Sequence, residues 1–328
     1  MTVEWHERAS EALRNYGLDD ARTRMLTLSE NATYLVESAP PAVLRLNRPG
    51  FRTRRQIEAE VEWVEALRAA GVVRTPRTIP DLTGELVTRL PGGDEASGCA
   101  LLMEHAPGRA ADEADVDMFA TLGALSAAMH EHGIAHRGGS ASDRPTFELE
   151  DLLGGRSPYG HWSAHPGLDV ASTAVLRRVE DAAARAAGAN LVVGLIHGDM
   201  RAANLLVDDR GEVTVIDFDD CGRGWHMYEL ACALSFIEAD DATPKRVELW
   251  LRAYLRARPQ ATDDARAVPD LVLLRRLLLV AWLATRHHTT EAEALAARFI
   301  PETVALGEAY LAGRYLDGIP TLLKEVPA

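Results

Sequence analysis

The stretch LIHGDMRAANLLV, residues 195–207, brings His197, Asp199 and Asn204 into one short loop, and VTVIDFDDC at 213–221 delivers Asp217 at the end of a second apolar run. An amide oxygen and a carboxylate can together hold a hard cation such as Mg2+, which prefers oxygen ligands and keeps several waters. Asp199 then stays free to accept a proton from a hydroxyl. Cation, base and strand-end placement suit transfer of a phosphoryl group from a nucleotide to an alcohol. Either acid alone would fit a turn, since Asp is common where strands end. HGDxxxxN followed by IDFD after one hairpin is too specific a combination for that reading. His197 could serve as the base, but it precedes a Gly-Asp turn, where bracing the loop is the expected role. His130, His226, His287 and His288 lack metal-ligand spacing and read as ordinary polar or core histidines.

The elements around these residues can be read from pattern. GLI is strand-like and ends at His197, and Asn204 opens the next strand. NLLV and VTVIDF are joined by DDRGE, good hairpin-turn chemistry, so pairing should bring Asn204 and Asp217 to the same end of the ladder. Upstream, MLTLSENATYLVES and AVLRLNRP each read as a strand, separated by the SAPPA turn. TRRQIEAEVEWVEALRAAG reads as a helix, with Ile57, Val61, Val64 and Leu67 at helical spacing and Gly71 closing it. ELVTRL and CALLMEH read as strands. DVDMFATLGALSAAMHEHG and VASTAVLRRVEDAAARAAG read as helices around a long irregular segment, and everything from Met227 onward reads as helical. The sheet-to-helix change places a boundary near residues 104–108, giving expected domains 1–104 and 105–328.

Composition narrows the partners. A formal charge of −14 argues against nucleic acid, whose binders gather Lys and Arg. Three cysteines without CxxC or zinc spacing fit a reducing compartment. MTVEWHERASEALRNYG has Glu4 and Glu7 where a signal peptide needs basic then apolar residues. It reads as an amphipathic helix with Trp5, Ala9, Leu13 and Tyr16 on one side. LVLLRRLLLVAWLA is interrupted by Arg275 and Arg276 and is too short to span a bilayer. A cytoplasmic protein with no membrane partner is expected.

At these motifs the sequence resembles the aminoglycoside phosphotransferase-like kinases, a superfamily that includes aminoglycoside, macrolide, choline and homoserine kinases and a bacterial stress-response Ser/Thr kinase. SENATYLV looks like the nucleotide loop, VLRL the third strand, IEAEVEWVEAL the lobe helix and LLMEHAPG the hinge. LSAAMH looks like the helix after the hinge, and HGDMRAAN and VIDFDD like the catalytic and metal segments. The resemblance implies an α+β, two-lobed protein-kinase-like fold, with a small sheet-rich N-lobe and a larger, mostly helical C-lobe. It implies ATP and Mg2+, with Asp199 as catalytic base and Asn204 and Asp217 as metal ligands. Ser29, Asn31 and Thr33 should cover the phosphates, and Glu104 and Ala106 should offer adenine their backbone.

Two positions depart from the family pattern. Arg45 stands where many relatives have lysine; a guanidinium can also grip phosphates and pair with Glu60, through a fork rather than a point charge. Glu60 is preferred to Glu58 because it lies two turns before Leu67. Glu229, in YELA, stands where relatives often have the aspartate that braces the catalytic loop. Asp219 and Asp220 crowd the metal segment, which is costly unless cations share the site. Together with Glu238, Asp240 and Asp241 they lead to the expectation of a cationic, amine-bearing hydroxyl acceptor. A peptide Ser/Thr acceptor is the competing enzymatic reading, because SENATY, NRPGFRTRRQIEAE and DFDD resemble the stress-response branch equally well. A nucleotide-binding pseudokinase scaffold is the non-enzymatic one, favoured by Arg45 alone.

Overall fold

The structure is a computed structural model and describes residues 2–29, 31–90, 98–136, 143–187, 191–286 and 290–325. Readings placed on Glu30, His287 and His288 lie outside the described residues. Helix α1 (Thr2–Arg14) leads into strands β1 (Arg22–Leu28), β2 (Asn31–Glu37) and β3 (Ala42–Asn47), then helix α2 (Arg54–Ala69). Strands β4 (Thr78–Ile79), β5 (Thr88–Arg89), β6 (Cys99–Glu104) and β7 (Arg109–Ala110) precede helix α3 (Met118–Ala135). Next come β8 (Thr146–Phe147), α4 (Leu149–Leu152), α5 (Val170–Ala187), β9 (Val193–Ile196), β10 (Leu205–Val207), β11 (Val213–Val215) and β12 (Gly222–Trp225). The rest is helical: α6 (Tyr228–Ala233), α7 (Thr243–Ala257), α8 (Val268–Ala284), α9 (Thr290–Leu311) and α10 (Ile319–Glu325), with short 3-10 turns between.

The chain forms two compact units. One comprises Met1–Ala110, His136–Pro145 and Leu205–Asp219; the other comprises Ala111–Ala135, Thr146–Asn204 and Asp220–Ala328. The first is built on an antiparallel sheet in the order β1-β2-β3-β6-β4, with β5 also on β6. Side chains alternate across a strand. Tyr34, Val36, Leu44 and Leu46 therefore share a face, which packs on Ala9, Ala12 and Leu13 of α1. The opposite face, with Cys99 and Leu101, packs on Ile57 and Val61 of α2. Arg45, between Leu44 and Leu46, belongs to that second face. Glu60 lies on the buried stripe of α2, three residues from Ile57 and four from Val64. Thr53 starts this helix with a capping box, accepting from Gln56 N at 3.2 Å while Thr53 N donates to Gln56 Oε1 at 3.0 Å. Gly71, at φ 65°, ends it. The same unit carries the hairpin β10–β11, paired Leu205↔Val215, with β7 on its outer edge.

In the helical unit α3 packs on α7, and α8 runs among α5, α6 and α9. Nearly every side chain of α8 is buried, Arg275 and Arg276 included. A small sheet, β8-β12-β9, aligns Gly222 with Ile196, so the strand leading to His197 is held along its length.

Three local readings are corrected, and one strand went unread. The segment read as one strand, 25–38, instead carries the end of β1, to Leu28, and β2 from Asn31, antiparallel to it, with Ser29 N donating to Asn31 O at 2.9 Å. ELVTRL is extended only at Thr88–Arg89. GRGW forms β12 although its two glycines carry no strand signal; pairing with β9 supplies what propensity lacks. The long irregular segment contains β8 and α4.

One glycine controls helix approach. A Cβ on Gly123 of α3 would sit 2.3 Å from the Trp250 carbonyl oxygen of α7, closer than atoms can pack. Gly123→Ala should therefore lower unfolding stability by about 1–3 kcal/mol, the usual cost of overpacking, although alanine favours helix by about 1 kcal/mol. Denaturant unfolding checks this; unchanged or raised stability would show that the two helices can separate freely.

Candidate active site

A cavity of about 410 Å³ lies within the sheet-rich unit. Its walls are apolar where Val43, Met103, Leu206 and Ile216 meet, and polar where Thr33, Arg45, Glu60 and Asp217 meet. Glu104 and Ala106 border it from the segment after β6. An apolar slot with a polar, charged end matches a flat base carrying phosphates. Six of the residues picked from sequence thus share one cavity: Thr33, Arg45, Glu60, Glu104, Ala106 and Asp217.

At the polar end, Arg45 and Glu60 form a two-pronged pair, Nη1–Oε1 2.7 Å and Nη2–Oε2 2.9 Å, with 6% and 4% of their surfaces exposed. Burial works against the Arg45 charge, but the carboxylates of Glu60, Asp219 and Asp217 outweigh it and hold the guanidinium above its ordinary pKa. Asp217 is exposed and has a left-handed backbone, φ 64°. A non-glycine residue adopts that conformation at a cost of order 1 kcal/mol. The chain then turns back inward, so that Phe218 meets Trp63 edge-on at 5.8 Å and Asp219 is buried.

Ser29 and Asn31 do not border the cavity. Asn31 is buried; its Nδ2 donates to Asp219 Oδ2 at 2.9 Å and its Oδ1 accepts from Asn47 Nδ2 at 3.2 Å. Ser29 is fixed through its backbone, with its carbonyl accepting from Arg48 Nη2 at 2.9 Å. Arg144, which the sequence reading passed over, completes this buried network. It donates to Gln56 O at 2.8 Å and to the Asp219 carbonyl, and its Nη1 lies 3.7 Å from Glu60. It sits in the irregular segment, where no periodicity could single it out.

In the helical unit the HGD loop is held by one carboxylate. Glu229 accepts from the backbone N–H of His197 at 2.7 Å and of Gly198 at 2.9 Å. Gly198 has φ 80°, and a Cβ there would meet the Asp220 carbonyl oxygen at 2.5 Å, so only glycine fits. His197 is buried and its Nδ1 accepts from Asp199 N at 3.3 Å, the bracing geometry read from the Gly-Asp turn. Asn204 Nδ2 donates to Asp199 O at 2.8 Å and to Asp199 Oδ2 at 3.1 Å. The other oxygen, Oδ1, accepts from Arg275 Nη2 at 2.8 Å. Arg275 lies 76 residues away in α8, and the sequence reading treated it only as an interruption of an apolar run.

Behind Glu229 stand two buried histidines. His130 Nε2 is 3.3 Å from Glu229 Oε2, its Nδ1 is 2.9 Å from the Tyr254 hydroxyl, and its ring stacks on His226 at 4.3 Å. Burial, aided by the Arg258 charge, pushes His130 well below its usual pKa; burial, His130 and Arg258 push His226 down to about 2. Burial raises Glu229, against the pull of His197 and the two N–H bonds. Neutral His130 can donate from Nε2 to Glu229 and accept the Tyr254 proton at Nδ1.

The acids expected to attract a cationic acceptor have internal partners. Glu238 is buried and paired with Arg276, and Asp240 pairs with Arg246 at 2.9 Å. Asp219 belongs to the Asn31–Arg45 network. Of the acids after α6, Asp240 and Asp241 are exposed, and pairing of Glu238 and Asp240 weakens the expected field of the group.

Residues 27–268 match the protein-family model APH, the phosphotransferase enzyme family. The chain belongs to this family. The phosphotransferase is 35% identical to the microcompartment-associated aminopropanol kinase, whose structure superposes with a TM-score of 0.86 over 94% of this chain and 98% of that one. It is 25% identical to amicoumacin kinase of Bacillus subtilis (strain 168) over 289 residues, 84% of this chain and 83% of that protein. Amicoumacin kinase hAmiN, solved with AMP-PNP, Ca2+ and Ami, shares the fold, with a TM-score of 0.73 at 22% identity over 93% and 96% of the two chains. The implied α+β kinase-like fold is therefore observed, and the reaction class is phosphoryl transfer to an alcohol group. Among the described residues, no helix is long and apolar enough to cross a membrane.

The buried histidines make stability pH-dependent. A histidine held neutral in the phosphotransferase takes up a proton only on unfolding, so below about pH 6.5 the unfolded state gains protons and stability falls with pH. Raised Glu229 acts oppositely, taking up its proton in the folded state first. From pH 7 to 5, His226 alone should remove about 2 kcal/mol. His226→Asn should flatten the pH dependence of unfolding free energy by that amount, with Glu229 unchanged in both proteins. An identical slope in the variant would mean that His226 protonates in place.

Proposed function

We propose that the protein transfers the γ-phosphoryl group of ATP to the hydroxyl of a small amine-bearing alcohol, with Mg2+ as the metal. The observation that carries this reading is the orientation of Asp199, whose two carboxylate oxygens are separately held by Arg275 and Asn204 in a loop gripped by Glu229. Asp199 accepts the hydroxyl proton while the alcohol oxygen attacks phosphorus and the bond to the leaving ADP oxygen breaks. Arg45, paired to Glu60 within the cavity, keeps a fixed positive charge for the phosphates. Glu104 and Ala106 would offer backbone groups to the base, and Thr33, which borders the cavity from β2, would meet phosphate. Ser29 and Asn31 support that loop from behind.

Asn204 spends its Nδ2 on Asp199, which leaves its Oδ1 as a metal donor; Asp217 is exposed and borders the cavity, where its carboxylate would be the second oxygen ligand. This donor set fits Mg2+, which takes one or two protein oxygens and completes its shell with phosphates and water. Bound there, Mg2+ would neutralise phosphate charge. The acceptor class is supported by 35% identity to an aminopropanol kinase along nearly the whole chain. All three cysteines are buried and unbridged, which suits a cytoplasmic setting.

Asp199→Asn keeps size and polarity but cannot take the proton, so kcat should fall roughly 10²–10⁴-fold, about 3–5 kcal/mol, with ATP affinity little changed. Asp217→Ala should abolish Mg2+-dependent turnover with the fold retained. Both are read by ADP release over a panel of amino alcohols, their N-acetylated forms and a serine peptide, with mass detection of the product. Full activity in Asp199→Asn, or phosphorylation of the peptide alone, would sink the proposal.

A further inference from the structure

Helix α8 carries two adjacent arginines in an otherwise apolar sequence, and both are buried, Arg275 at 7% and Arg276 at 0% exposure. Neighbouring helical residues point about 100° apart, so the two guanidinium groups reach different partners. Arg276 binds Glu238, Thr303 Oγ1 at 2.8 Å and the Phe299 carbonyl at 3.1 Å, which ties α8 to α9 and to the segment after α6. Those partners make Arg276 a structural ion. Arg275 differs: Nη2 reaches Asp199 Oδ1 at 2.8 Å and Nε reaches Ser235 Oγ at 3.1 Å. Its guanidinium carbon lies 5.9 Å from the centre of the Tyr228 ring. Ser235 is itself buried and is followed by Phe236 in a left-handed conformation, φ 72°.

Burying a guanidinium is costly, and a well-packed apolar side chain at such a helix position usually serves stability equally well. The loop holding Asp199 is already fixed by Glu229 without Arg275. What Arg275 adds is confined to one atom, Asp199 Oδ1. We infer that Arg275 is a positioning residue for phosphoryl transfer, locking Asp199 Oδ1 so that Oδ2 alone faces the acceptor hydroxyl. The inference rests on Asp199 being the base. Arginine suits the task because it donates in a fixed plane and never exchanges its own charge under working conditions. Two side chains, Ser235 and Tyr228, hold the guanidinium plane, so it has little freedom to follow Asp199 if the carboxylate rotates.

Four proteins decide this: Arg275→Gln, Arg275→Lys, Asp199→Asn and the double variant Arg275→Gln/Asp199→Asn. Each is assayed for ADP release with Mg-ATP, using 1-amino-2-propanol as acceptor and water alone as the second arm. Arg275→Gln should lower kcat about 10–100-fold while the KM for ATP stays within about twofold. Arg275→Lys should recover much of the loss. In the Asp199→Asn background the same Gln substitution should cost less than about threefold, because the group it positions can no longer act. Thermal unfolding reports whether each variant folds. If Arg275→Gln does not, Ser235→Ala loosens the same guanidinium and should lower kcat in the native background only. Multiplying losses in the double variant, or full activity in Arg275→Gln with Asp199→Asn inactive, overturn the inference and leave the base assignment standing. Full activity in Asp199→Asn overturns the base assignment itself.

Discussion

The helical unit is organised around a carboxylate shut off from solvent. Glu229 is fully buried, and desolvation of that charge costs several kcal/mol unless donors replace the lost solvent. Two backbone N–H groups and His130 replace it. The same bonds satisfy the orphan amides of a loop that leaves its strand at His197 and must bend through Gly198. The loop and the carboxylate therefore stabilise one another. Cys232 adds a weaker bond from Sγ to the Gly198 carbonyl at 3.0 Å, so the peptide unit at the bend is held on both sides.

The sheet-rich unit meets the same constraint with charges of both signs. Arg45, Glu60, Arg144 and Asp219 are all buried and all bonded, directly or through Asn31, within one network. Replacing such a network by apolar residues often costs nothing in stability, so its retention calls for another reason. It links β2 through Asn31, β3 through Arg45, α2 through Glu60 and the segment after β11 through Asp219. These are the four chain segments that bring polar groups to the cavity or lie behind it. A shift in any one leaves a buried charge unpaired, which gives the cavity's charged end a single geometry. Several of the acids singled out near the site are paired, Asp219 here, Glu238 with Arg276 and Asp240 with Arg246, so the net charge of −14 does not locate its excess at the site.

How much was legible follows sequence distance. Local chemistry could be read: the closing Gly71 and the hairpin turn at 208–212; the pairing of Arg45 with Glu60 came from the family resemblance, and the capping box at Thr53 went unread. The family motifs singled out Asp199, Asn204 and Asp217 because their spacing is short and their residue types are rare in combination. Arg275 and Arg144 were illegible because their partners lie 76 and 75 residues away and no period links them. Asn31 lies on the same face of β2 as Thr33 but does not border the cavity, because its amide is taken up by Asp219 and Asn47. The left-handed Asp217 also gave no signal, since nothing about an aspartate after isoleucine announces φ 64°.

The two departures from the family pattern make sense once their surroundings are seen. A lysine at position 45 could offer Glu60 one point charge; arginine offers two parallel donors, and both Glu60 oxygens are taken at 2.7 and 2.9 Å. The pairing fixes the guanidinium, and Arg45 borders the cavity. At position 229, the additional methylene of glutamate over aspartate lets one carboxylate span two consecutive N–H groups and still touch His130, which Tyr254 supports from behind. A chain that had lost its chemistry would be under no constraint to rebuild these contacts around altered residues. Both residues instead have partners fitted to their reach, Glu60 for Arg45 and the His197 and Gly198 amides for Glu229.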